Sequence, residues 1–187
     1  ALVRPPSQCR WPTPDLLFQA ARAEGVGTAL ELECVRMALV RWSASGGRGR
    51  LFVNLSADAL VAAVGDGHLG RALDVSRASG VSAQAVVIEL TEHERVRDVA
   101  ALRAALEPLR RQGIGVALDD FGDGWSSLRL WSEIKPEFVK LDKYFTRGIE
   151  RHGDKIQTVR ALIQIGEIFG AQLVAEGVET AEELRTM

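Results

Sequence analysis

The sequence predicts an α/β fold with parallel strands, and three observations carry that prediction. Short β-branched or apolar runs recur five times, longer amphipathic stretches separate them, and no Pro/Gly/Ser-rich linker breaks the alternation. Strict alternation of strand and helix requires crossover connections, which make the strands parallel and the crossovers right-handed.

In chain order, Asp15 to Glu24 and Thr28 to Arg41 read as helices, and Ser43 to Gly47 as turn chemistry before the first strand, Leu51 to Leu55. Ala57 to Ala63 and Gly67 to Ala78 are the next helical stretches. Between them Gly65-Asp66-Gly67-His68-Leu69-Gly70 spells G-x-G-x-x-G, but it follows a helix where a dinucleotide site needs a strand, so it reads as a turn. The second strand is Ala85 to Leu90, followed by a helix over Arg97 to Gln112. Gly115 to Leu118 is the third strand, with Ser126 to Glu133 helical after it. Phe138 to Leu141 is the fourth. In the helix Lys155 to Phe169, residues Ile156, Val159, Leu162, Ile163 and Ile168 recur near the 3.6-residue period. Gln172 to Ala175 is the fifth strand. A doubly wound sheet and a (β/α)8 barrel both satisfy this pattern.

Composition narrows the function classes. The 187 residues carry 23 Lys plus Arg against 25 Asp plus Glu, a formal net charge of −2, with 47% hydrophobic and 26% charged residues. That is the profile of one ordinary folded domain. It argues against a nucleic-acid polymer as partner, which would need an excess of positive charge, and leaves room for a small anionic ligand. Cys9 and Cys34 form neither a disulfide framework nor a zinc pattern and read as reduced thiols. No apolar run approaches the roughly 20 residues of a membrane span, and no signal peptide opens the chain, so a cytoplasmic setting is the expectation. The chain begins without Met and ends at Arg185-Thr186-Met187 inside what reads as an unfinished helix, as a piece of a longer protein would.

The informative residues stand where the strands end. Val53 is followed by Asn54, Ile88 by Glu89 with Glu92 close behind, Leu118 by Asp119 and Asp120, Val139 by Lys140 then Asp142, and Ala175 by Glu176 with Glu179 behind. In a parallel α/β fold these ends share one rim, where active sites are built. Helix capping alone would account for Asp120 or Ser56. It accounts poorly for Glu89 and Glu176, which close apolar strands where an unpaired carboxylate is costly. A shared cation lifts that cost, and a donor set of Asn, Asp and Glu oxygens without His or Cys selects a hard divalent ion such as Mg²⁺ or Mn²⁺. Adjacent Asp119 and Asp120 point to opposite faces of an extended strand, so both reach one site only where the strand ends. Two metals about 3.5 to 4 Å apart would suit that arrangement and in-line attack on a phosphodiester. Lys140 is either an ion-pair partner for these carboxylates or a group that orients a nucleophilic water and stabilises charge on a phosphate. His68, His93 and His152 have no metal-like spacing and read as surface residues.

Asn54-Leu55-Ser56, Glu89-Leu90-Thr91-Glu92, Asp119-Asp120-Phe121-Gly122-Asp123-Gly124-Trp125-Ser126-Ser127-Leu128, Lys140-Leu141-Asp142 and Ala175-Glu176-Gly177-Val178-Glu179-Thr180 together resemble the EAL-domain family of cyclic-di-GMP phosphodiesterases. The resemblance runs over the whole chain. It implies a modified (β/α)8 TIM-type barrel that hydrolyses one phosphodiester of cyclic di-GMP to the linear dinucleotide pGpG. It further implies that Asn54, Glu89, Asp119 and Asp120 bind the metals and that Glu176 completes the metal and water environment. Lys140 would contact the attacking water, so that Lys140, Glu176 and Asp120 carry the chemistry. Glu179 and Asp142 would support that set, Glu92 would hold the loop from Phe121 to Ser126, and Arg4 would meet a substrate phosphate. A homodimer and attached sensory or cyclase domains are the partners the family suggests.

Three departures qualify the likeness. The family's opening motif has a metal-binding glutamate just before the Ala that is residue 1 here, and further strands, one bearing a glutamine of the site, precede and follow the matched span. One barrel domain truncated at both ends is therefore expected, with little turnover from these 187 residues alone. Asp123 replaces a small residue and Trp125 a tyrosine in the loop. The competing readings are a catalytically inactive cyclic-di-GMP receptor or interaction module, and a Mg²⁺-dependent barrel enzyme acting on a carbonyl substrate, which the acidic rim permits and nothing selects.

Overall fold

The computed structural model describes residues 3–5, 8–70, 80–91, 96–122 and 128–187. Most of the helix expected over Gly67 to Ala78, together with Glu92, His93, Asp123 and Trp125, lies outside them. The chain divides into two compact units, Ala1–Glu89 with Ala100–Ile114, and Leu90–Val99 with Gly115–Met187. Among the described residues there are five strands.

In the first unit, α1 (Pro14–Ala23) starts where Thr13 accepts a hydrogen bond from the Leu16 amide at 3.4 Å, with proline at the first helical position. Helix α2 (Gly27–Ala44) buries Glu31, Val35 and Leu39, one per turn, and packs on β1 (Leu51–Ser56). Along β1 the buried residues alternate, Leu51, Val53 and Leu55, which is the two-residue period of a strand covered on one face. Ser56 ends β1 and caps α3 (Ala57–Gly65) by accepting from the Ala59 amide at 3.2 Å. Strand β2 (Val86–Thr91) buries Val86, Val87, Ile88 and Leu90 in succession, the run expected of a strand covered on both faces. Helix α4 (Val99–Arg111) buries Leu102, Ala105, Leu106 and Leu109.

The second unit holds β3 (Gly115–Phe121), α5 (Leu128–Ile134), β4 (Phe138–Leu141), α6 (Lys143–Thr146), α7 (Gly153–Phe169), β5 (Gln172–Ala175) and α8 (Ala181–Thr186). Strand β4 pairs in parallel with β3 on one side and β5 on the other, as alternation with helices predicts. Its core includes Trp131, wholly buried and edge-on to both Phe121 and Phe169 at centroid distances of 5.2 and 5.7 Å.

Two expectations need correction here. The third strand does not stop at Leu118 but continues through Asp119, Asp120 and Phe121. The stripe read along the last long helix is also off. Val159 and Leu162 are buried and Gly166 sits against Leu173, whereas Ile163 is 38% and Ile168 78% exposed. At about 100° per residue, Ile168 lies half a turn away from Val159, on the opposite side of the helix. Spacing near 3.6 holds for neighbours in such a stripe and accumulates error across it.

Candidate metal centre

The site grows out of an irregularity at the end of β3. Leu118 pairs with Val139 and Phe121 with Leu141, so three steps along β3 match two along β4 and one extra residue is accommodated as a bulge. Asp120 absorbs it with φ of +48°, in the left-handed region that aspartate tolerates better than most residues. A regular strand would send Asp119 and Asp120 to opposite faces. The bulge brings them to one side, and the Asp120 amide donates to Asp119 Oδ1 at 3.1 Å.

Glu176 arrives from β5. The β4–β5 register sets Lys140 beside Val174 and Leu141 beside Ala175, and the Glu176 amide then donates to the Leu141 carbonyl at 3.2 Å. One carboxylate oxygen each from Asp119, Asp120 and Glu176 lie within 4.8 Å of one another. Lys140 stands among them, its Nζ 2.6 Å from Asp119 Oδ1 and 2.6 Å from Glu176 Oε1. The Lys140 and Asp119 side chains are 13% and 12% exposed, so their attraction is only partly screened by water.

One ammonium does not balance three carboxylates. Burial, followed by the negative charges of Asp119, Glu176 and Asp142, pushes the Asp120 carboxyl above its usual range, and Lys140 offsets this only in part. A divalent cation would remove the excess, and an all-oxygen donor set matches Mg²⁺, Mn²⁺ or Ca²⁺. Asn54, in the other unit, has a buried Oδ1 without a hydrogen-bond partner among the described residues, an acceptor that a ligand or a water would satisfy. Glu89, one strand on, is 4% exposed. Within what each unit shows, the residues present fit a hard divalent ion.

The other expected site residues fall as follows. Asp142 caps α6, accepting from the Tyr144 amide at 2.7 Å, and adds its charge to the field at Asp120. Glu179 pairs with Arg147 and is 62% exposed, outside the three-carboxylate group. Arg4 is exposed, as are His68 and His152. Cys9 and Cys34 are unbonded thiols. No described helix is long and apolar enough to cross a membrane.

Sequence reasoning passed over Glu183. It is 6% exposed and accepts from the amides of Gly148 at 2.8 Å, Glu179 at 2.8 Å and Thr180 at 3.0 Å, while its own amide donates to Thr180 Oγ1 at 3.1 Å. These bonds hold its carboxyl down at about 2. The signal was present as a capping box, Thr180-Ala181-Glu182-Glu183. Glu31 plays a comparable part in the first unit, where its carboxylate accepts from the Ser56 amide at 2.7 Å and from the Ser56 hydroxyl at 3.1 Å.

Comparison with known proteins points to one family. A cyclic di-GMP phosphodiesterase of Pseudomonas aeruginosa is 30% identical over 142 residues, which cover 76% of this chain and 24% of that protein. An uncharacterized protein of Mycobacterium tuberculosis is 33% identical over 172 residues, covering 88% of this chain and 27% of its own length. The chain therefore spans about a quarter of these curated relatives. Among solved structures, Klebsiella pneumoniae BlrP1 in its manganese/cy-diGMP complex superposes with a TM-score of 0.82 at 32% identity, covering 93% of this chain and 44% of that one. The EAL domain of Mycobacterium smegmatis DcpA gives 0.70 at 34% identity, covering 81% of this chain and 69% of that one. The EAL domain family itself matches residues 7–187. With strands β3 to β5 in parallel and an acidic centre at their carboxyl ends, this chain belongs to the EAL domain family, and its mixed α/β architecture is that of the TIM-barrel-like EAL structures.

Proposed function

We propose that this chain is the catalytic part of a metal-dependent phosphodiesterase that hydrolyses cyclic di-GMP to linear pGpG. The observation that carries the reading is the convergence of Asp119, Asp120 and Glu176 around Lys140. Relatives named as cyclic di-GMP phosphodiesterases and neighbours solved with cyclic di-GMP and calcium or manganese support it.

In this reading Asp119, Asp120 and Glu176 hold a divalent cation, Mg²⁺ or Mn²⁺, and Asn54 and Glu89 are further ligands by the motif resemblance, enough for two ions. The ions would supply a nucleophilic water at neutral pH and neutralise charge on the phosphodiester. The chain's own residues do the positioning. Lys140, already fixed by two carboxylates, presents an ammonium proton to the water and to the developing charge. Asp120 and Glu176 belong with Lys140 to the residues that would carry the chemistry, as the family resemblance implies. Arg4 meets a substrate phosphate, and Glu92 steadies the loop after Phe121. Cytoplasmic location, a homodimer and neighbouring sensory or cyclase domains belong to the same proposal.

The test is to incubate the gene's full-length product with cyclic di-GMP and Mg²⁺ or Mn²⁺ and to look for pGpG, alongside Asp119→Ala and Lys140→Ala. Product from the wild type and loss of it in both variants is the expected result. Tight binding without product overturns the enzyme in favour of a receptor.

A further inference from the structure

Residues of α6 touch both the end of β3 and the turn after β5, the two segments that carry the acidic ligands. On one side, the Asp142 amide just ahead of α6 donates to the Phe121 carbonyl at 3.3 Å, and the Phe145 ring lies against Gly122, whose φ is +112°. A Cβ on Gly122 would stand 2.1 Å from Phe145 Cε2, so the ring occupies the space a side chain would need. On the other side, Gly177 turns at φ +64° directly over Lys143, and a Cβ there would stand 2.8 Å from Lys143 Cβ. Between these contacts Thr146 is wholly buried, and its hydroxyl donates to the carbonyl of Glu176.

That hydrogen bond is not the local default. A helical threonine ordinarily bonds back to a carbonyl in its own preceding turn, and the Lys143 carbonyl is within reach at 3.2 Å. The Glu176 carbonyl is the closer acceptor and belongs to a residue 30 positions away. Valine has the same shape, so what the hydroxyl adds at this buried spot is its reach to the Lys143 carbonyl and, more closely, to the Glu176 carbonyl.

We propose that Thr146 is a positioning residue for Glu176, and that α6 acts as a spacer fixing the separation between the Asp119–Asp120 end of β3 and the Glu176 turn. The proposal rests on reading those carboxylates as a cation site. Fixing the Glu176 main chain limits the positions its carboxylate can take beside Lys140 and Asp119, which lowers the ordering cost of gathering three ligands round an ion.

The test uses the full-length product with Thr146→Val, Thr146→Ser and Thr146→Ala. Mn²⁺ binding is followed by the electron paramagnetic resonance of free Mn²⁺, and cyclic di-GMP turnover is measured as a function of Mn²⁺. Thr146→Val is expected to weaken Mn²⁺ binding about tenfold, the scale of losing a partner behind a metal ligand. Turnover then needs about tenfold more Mn²⁺ for half-saturation, with KM for the dinucleotide unchanged, and Thr146→Ser restores the wild-type metal affinity. A Thr146→Val protein that binds Mn²⁺ as the wild type does overturns the proposal. If Thr146→Val does not fold, Thr146→Ser and Thr146→Ala, which differ only in the hydroxyl, decide by the same measurement, equal affinities being the overturning result. Wild type that binds Mn²⁺ without hydrolysing cyclic di-GMP sinks the enzyme reading and leaves the Thr146 comparison standing. Wild type that binds no Mn²⁺ overturns both.

Discussion

Asp120 and Glu183 are acidic residues of the same unit in opposite electrostatic states. Asp120 sits with Asp119 and Glu176 around a single lysine, and its carboxyl is pushed upward by burial and by like charge. Glu183 has no cationic partner among the described residues, yet three amides hold its carboxyl at about 2. Acidic character alone therefore says little about function. A carboxylate whose lone pairs are met by main-chain amides is structural and calls for no ligand, whereas three carboxylates around one ammonium leave, among the described residues, an excess of negative charge that a cation would relieve.

The sharpest way to break this contrast is Asp119→Asn. Because Asp119 is both a proposed ligand and a partner of Lys140, the variant is expected to lose Mn²⁺ affinity by about 100-fold or more, at least what losing a supporting partner costs. Calorimetric titration with Mn²⁺ and pGpG formation both read this out. Next in size is Lys140→Met. Without its ammonium the cluster is uncompensated, and the metal-free protein should lose about 3 kcal/mol, the scale for breaking a mostly buried pair. Urea denaturation should show that loss largely restored by Mn²⁺, with turnover still depressed. A variant as stable as wild type without metal would mean that the acidic cluster is not strained by its own charge.

Glu183→Gln probes the other side through pH. The Glu183 carboxyl, at about 2 against an ordinary 4.5, binds fewer protons folded than unfolded, so stability rises with pH through that window. Its contribution is complete above about 4.5 and lost progressively towards 2. The variant should be less stable than wild type at neutral pH, with the gap closing as acid denaturation is followed down to pH 2. The smallest effect is expected for Thr180→Ala, which deletes the hydroxyl that accepts from the Glu183 amide and should cost about 1 kcal/mol. A thermal melt lower by about 2–4 °C is the corresponding readout for a chain of this size.

What was legible in the sequence was which polar residues stand at the strand ends. Asn54, Glu89, Asp119, Asp120, Lys140 and Glu176 all follow apolar runs, and a parallel α/β pattern says where such positions lie. What was not legible was how two adjacent aspartates come to lie on one side of their strand. The bulge at Asp119–Asp120 is fixed by pairing with Val139 and Leu141, residues some 20 positions away, and no local pattern encodes it. The same holds for α6, whose four residues are too few for a periodic signal and take their shape from Asp142 and from the turns they separate. Glu183 is different, since its capping box is a local signal. Ile168 shows the reverse failing, a local pattern extended beyond the two turns over which it is accurate.

The bulge has a consequence for how this site tolerates change. An inserted residue in a strand is an arithmetic feature, because everything beyond it is shifted by one place relative to the neighbouring strand. Phe121, which now packs on Trp131 with 6% exposure, is on the inner face only because the extra residue comes before it. Removing one residue at 119 or 120 would leave a carboxylate in the sequence, yet would swing Phe121 out of the core and turn the remaining acid to the other face. The centre is thus written in residue number as much as in residue type, and a one-residue deletion there damages two layers of the molecule where a substitution damages one.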